Sequence, residues 1–99
     1  MRIRAVEKDG VVEVKALMSH IMETGQRKDS DGKIVPAHFI DLVQAKCNDK
    51  VVLEAQWGPA VSRDPFLSFK FKGGKKGDKI TLSWKDNEGE SRTDTTEIR

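Results

Sequence analysis

Apolar and polar residues alternate with a period of two in short runs along nearly the whole chain, VVEVKALM at Val11–Met18 being the clearest. That period puts one set of side chains on each face of an extended strand, and a helix cannot keep such a pattern on one side. Clusters of Gly, Asn and Asp break the runs at fairly even intervals, which is the pattern of an all-β domain. Seven strands are expected, at Arg2–Val6, Val11–Met18, His38–Cys47, Val51–Trp57, Phe66–Lys72, Lys79–Lys85 and Ser91–Ile98. Four connections, KDG (Lys8–Gly10), NDK (Asn48–Lys50), GGKKGD (Gly73–Asp78) and DNEGE (Asp86–Glu90), carry the residues that tolerate tight-turn dihedrals and read as hairpin links. Two are longer, METGQRKDSDGKIVPAHF (Met22–Phe39) and GPAVSRDP (Gly58–Pro65), as crossings between the sheets of a sandwich require. The expected architecture is an immunoglobulin-like β-sandwich of about seven antiparallel strands, without the paired cysteines of antibody domains. With 99 residues the chain holds one core and one domain, 1–99.

Parity then assigns faces. Val12, Val14, Ala16 and Met18 fall on one side of the second strand, as do Val51, Leu53, Ala55 and Trp57 on the fourth. Leu67, Phe69 and Phe71 on the fifth and Ile80, Leu82 and Trp84 on the sixth complete the expected core. The third strand breaks the rule, because Phe39, Val43, Ala45 and Cys47 are apolar on one side while Ile40 and Leu42 are apolar on the other. Two readings stand: a central strand with one partly exposed apolar face, or a surface that another chain covers.

Charge and chemistry exclude several functions. Lys and Arg number 18 against 16 Asp and Glu, a formal surplus of +2, and the basic residues are scattered among acidic ones, so no nucleic-acid partner is indicated. No apolar run is long enough for a signal-peptide core or for a membrane span of about 20 residues. Taken literally, this reads as a cytoplasmic, soluble chain without membrane insertion. Cys47 is the single cysteine, so an intrachain disulfide and a Cys-rich zinc site are excluded. His20, His38 and Cys47 could be ligands by type, but they lack ligand spacing and fall short of the usual ligand number, so they read as loop-edge histidines and a packed cysteine. Parity points His38 and Cys47 to opposite faces, which argues against a Cys-His dyad, and Cys47 is expected to carry no substrate. The GGKKGD segment lacks the spacing and the following helix of a phosphate loop. Met18 and Met22 read as gap-fillers of the core. No catalytic residue, metal site or cofactor is expected, and by its own chemistry the chain is a binding or structural module.

The segment MSHIMETGQRKDSDGKIVPAHFI (Met18–Ile40) resembles the SoxZ family, METGQRKD and IVPAHFI being its most specific parts, and GPAVSRDPFLSFKF (Gly58–Phe71) is a second match. The resemblance implies an immunoglobulin-like sandwich that pairs as a heterodimer with SoxY, whose C-terminal Gly-Gly-Cys-Gly-Gly arm carries the sulfur substrate in thiosulfate oxidation. This chain ends in SRTDTTEIR and has no such arm, so the resemblance makes it the non-catalytic half of the SoxYZ sulfur carrier, without a cofactor. It also implies transient contacts with SoxAX, SoxB and, where present, SoxCD. The implied location is the periplasm, reached by export together with SoxY. Partner-binding candidates are Gln26, Arg27 and Lys28 in the long loop, Ile40 and Leu42 on the third strand, and Pro65 and Phe66 in the second match. Superoxide reductases share a similar sandwich and offer a different reading, a metal-binding immunoglobulin-like domain, but they bind iron through four histidines and a cysteine and this chain has two histidines. A generic binding module would explain the fold but not METGQRKD.

Overall fold

The computed structural model covers residues 1–99. Seven strands form, β1 (Arg2–Lys8), β2 (Val11–Leu17), β3 (Ile40–Cys47), β4 (Lys50–Gln56), β5 (Phe66–Lys72), β6 (Lys79–Asp86) and β7 (Ser91–Glu97), each within two residues of its expected bounds. They make two antiparallel sheets, β1-β2-β5 and β4-β3-β6-β7, facing each other as a β-sandwich. Val12, Val14 and Ala16 of β2 and Ile80, Leu82 and Trp84 of β6 are buried between the sheets, and Leu67, Phe69 and Phe71 pack against them, as the alternation predicts. No helix of the chain is long and apolar enough to cross a membrane.

Two irregularities overturn the parity reading on the third and fourth strands. The register with β6 shifts between Ile40, which faces Asp86, and Leu42, which faces Lys85. The extra residue turns the strand by one side-chain position. Ile40 therefore joins Val43 and Ala45 in the core, fully buried, while Leu42 stays alone on the outer face. A second shift, between Ala45 and Lys46 against β4, leaves Val51 exposed and packs Val52 against the core in its place.

Three of the four expected hairpin links are hairpins, joining β1 to β2, β3 to β4 and β6 to β7. Asp9, Gly10 and Asn48 there adopt the positive φ that the turns demand. The GGKKGD segment is not a hairpin link, because it carries the chain from β5 in one sheet to β6 in the other. It crosses tightly over the core edge. Gly74 is buried, and a Cβ there would lie 2.7 Å from Val12 Cγ2 and 3.1 Å from Ile98 Cδ1. Gly74→Ala is expected to lower stability by about 1–3 kcal/mol, the usual cost of overpacking a filled core, read as a shift in urea midpoint at unchanged slope.

Candidate functional site: an arm clamped on a buried carboxylate

The long connection after β2 is an arm whose two limbs pair with each other. Glu23 and His38 exchange backbone bonds of 2.7 and 3.0 Å near its root, and the Val35 amide donates to the Arg27 carbonyl further out. The tip turns at DSDG, where Asp29 Oδ1 accepts the amides of Asp31 and Lys33 at 2.9 and 3.0 Å. An aspartate bonding its own backbone two residues on is what makes such a turn hold. Gly25 has φ +83°, and its missing Cβ leaves room for the Ala37 methyl of the opposite limb.

The root of the arm closes on Asp86, the last residue of β6. Its side chain is fully buried, on the same parity as Ile80, Leu82 and Trp84. Buried carboxylates persist only when their oxygens are satisfied. Oδ2 receives His38 Nε2 at 2.8 Å and His20 Nε2 at 3.1 Å, and Oδ1 accepts the amides of Glu88 and Glu90 at 3.0 and 2.9 Å. His20 precedes the arm and His38 ends it, so one carboxylate ties both limbs to the sandwich. Asn87 adds a second grip, its Oδ1 accepting the Phe39 amide and its Nδ2 donating to the Ala37 carbonyl.

The two imidazoles have different hydrogen-bond partners. The Met22 amide donates to His20 Nδ1 at 3.0 Å, so the proton of this ring sits on Nε2 and points at Asp86. His38 has a carboxylate at each nitrogen, Asp86 at Nε2 and Glu88 at Nδ1 at 3.3 Å, with Glu90 3.7 Å from Nε2. Burial draws the His38 pKa down, but the bond to Asp86 and the charges of Glu88, Asp86 and Glu90 outweigh it and hold it above the ordinary imidazole value. Burial pushes Asp86 the other way, and its bonds from His20, His38 and the two amides keep its carboxyl below the usual range.

His20, His38 and Asp86 present ligand atoms within 4.8 Å of one another, the spacing of a metal centre. The donor chemistry does not fit one. Ligation through His20 Nε2 would move its proton to Nδ1, against the Met22 amide, and Asp86 Oδ1 already accepts two backbone amides. Three ligands would also leave a structural site short of its usual four. The cluster is a hydrogen-bonded clamp.

The family model described as Sulphur oxidation protein SoxZ matches residues 1–97. The chain belongs to the SoxZ family. A search of curated proteins finds no match.

The candidate residues fall into three groups in this SoxZ fold. Gln26, Arg27 and Lys28 lie exposed on the arm, although Arg27 is partly occupied by Glu23, whose carboxylate accepts its Nη2 at 2.8 Å and its Nε at 3.1 Å. Ile40 and Pro65 are buried, so neither offers its side chain to a partner: the register shift turns Ile40 inward. Leu42 and Phe66 remain at the surface, on opposite outer faces of the sandwich, Phe66 being 62% exposed. Cys47 is half-buried at the far end of β3 from His38, nine residues or about 30 Å of extended chain away, so the two do not form a dyad. Burial and then the Asp78 carboxylate, 4.0 Å from Sγ, push its thiol pKa up, which disfavours the thiolate. Sequence reasoning placed Asp86 in a turn and missed the clamp. Its parity with Trp84 was the available signal, since an acid on a core-facing position requires partners.

Proposed function

We propose that this chain is the non-catalytic partner subunit of a SoxYZ sulfur carrier, pairing with a SoxY-like protein and helping present its substrate-bearing cysteine arm to SoxAX, SoxB and, where present, SoxCD. The family match over residues 1–97 carries the reading. The outer face of the β4-β3-β6-β7 sheet supports it. Leu42 sits there in a shallow depression of about 450 Å³ with Trp57, rimmed by Asp41, Gln56 and Lys85. Beside it Gln44, Ser83 and Thr93 form an uncharged row that ends at Glu54, and Thr81 and Thr95 form another that ends at Lys46. An apolar, aromatic pair with polar and charged side chains at its rim is the anatomy of an interface centre. The raised thiol pKa of Cys47 agrees with a subunit that carries no sulfur itself. Gln26, Arg27 and Lys28 on the clamped arm serve as polar contacts to the carrier's partners, and the complex works in the periplasm after export with SoxY.

Co-expression with a SoxY-like protein tests the pairing. A single one-to-one species on size exclusion is the expected result. Separate elution of the two chains at micromolar concentration would sink the proposal.

A further inference from the structure

The two outer faces of this sandwich differ in charge. On the β1-β2-β5 sheet the inward positions are apolar apart from Glu7 at the end of β1, so Arg2, Arg4, Lys8, Lys15, Lys70 and Lys72 all project outward and are exposed. Glu13 lies among them, 3.5 Å from Lys15 and 3.7 Å from Lys70. Six cations against Glu13 and, at the β1–β2 turn, Asp9 give this face a surplus of four, while the whole chain carries +2. The rest of the molecule is therefore net acidic. At one end of the face Arg2, Leu17 and Phe66 form a cross-strand row, and with Arg4 and Lys15 they border a depression of about 310 Å³. Leu17 and Phe66 are 45% and 62% exposed, an apolar pair ringed by cations.

We propose that this basic face docks an acidic protein surface that seats an apolar side chain beside Leu17 and Phe66, as a second partner distinct from the pairing subunit. Charge complementarity names the class: a field of one sign on a flat face selects and steers an oppositely charged partner. The chemistry favours protein over a polyanion or a lipid surface. Val6, Val11, Leu17 and Phe66 share the face with the cations, and exposed apolar side chains need a partner that can bury them, which the backbone of a polyanion does not offer. The proposal rests on the reading above only in giving the Leu42 face to the pairing subunit, from which this face points away.

The test is surface plasmon resonance of the assembled heterodimer over purified SoxAX, SoxB and SoxCD, comparing wild type with Arg2→Glu/Arg4→Glu and with Phe66→Ser. Neither arginine has an ion-pair partner within the chain. The Arg4 position faces Lys15 across the strands, so the new glutamate gains a partner and the fold survives. For at least one enzyme the double variant should associate about 10-fold or more slowly at low salt, the difference closing to about 2-fold near 0.5 M salt. Phe66→Ser should shorten the residence time about 10-fold and leave the salt slope unchanged. Equal association of wild type and double variant with all three enzymes overturns the proposal. So does loss of the SoxY-like subunit itself from the double variant, which would make this the pairing face. Binding of wild type to heparin or to phosphatidylglycerol vesicles, lost in the double variant while no enzyme responds, would assign the face to another class. If the heterodimer does not form, the same comparison on the isolated chain decides the face separately from the pairing.

Discussion

Asp86→Ala lowers stability by about 3–5 kcal/mol, an expected drop of at least ~12 °C in melting temperature, because removing one member of a buried charged network strands the rest. The His20 and His38 Nε2 groups and the amides of Glu88 and Glu90 all lose their acceptor at once, the first of these bonds being buried and the other three part-buried. The arm should loosen first, since both its limbs are tied to this carboxylate. Amide exchange of Glu23 and His38, which bond each other at the root, is the local readout. An unchanged melting temperature with protected root amides would show that the clamp contributes nothing.

The same network sets a pH window. Asp86 has a depressed pKa, so its contribution is complete above the ordinary carboxylate value and is lost as pH falls through the folded value. His38 has a raised pKa, so its contribution is complete below the ordinary imidazole value and is lost as pH rises through the folded value. Stability from the clamp is therefore greatest on the plateau between the two. In Asp86→Asn the amide oxygen can still accept the Glu88 and Glu90 amides, but His38 loses its buried counter-charge. Its NMR titration midpoint should fall, and the alkaline limb of the stability profile should flatten.

The strands β2, β5 and β6 were legible because each keeps alternation through its own seven or eight residues, as VVEVKAL does in β2. What was not legible depends on contacts distant in sequence. Ile40 and Leu42 look equivalent by parity, and only the extra residue between them, defined by where Asp86 and Lys85 fall on β6, sends one inward and the other out. Asp86 itself opens DNEGE and has every local mark of a turn residue. Its role comes from His20 and His38, 66 and 48 positions away. GGKKGD likewise has hairpin composition, and its crossing follows from β5 having already paired with β2. The basic face was hidden in a balanced total: the charges alternate with apolar residues in β1, β2 and β5, and only pairing the strands brings the cations together.

Leu42→Glu is expected to weaken pairing with the SoxY-like subunit by at least about 3 kcal/mol, roughly 100-fold in Kd, because a covered apolar position cannot hold an unpartnered charge. The isolated chain should tolerate it. Leu42 is half-buried on the outer face, and its cross-strand neighbour Lys85 gives the new carboxylate an opposite charge in the free subunit. The melting temperature of the lone variant should therefore stay within a few degrees of wild type, which separates a lost interface from a lost fold. Trp57 lies in the same depression, so Trp57→Ala should weaken pairing in the same direction while also costing some core packing. Phe66→Ser is the control, since its side chain lies on the opposite sheet and should leave pairing intact. A folded Leu42→Glu chain that binds its partner with wild-type affinity would move the pairing surface off this sheet. If Phe66→Ser then proved the sensitive variant, the basic face would be the pairing surface and the Leu42 face an ordinary solvated sheet.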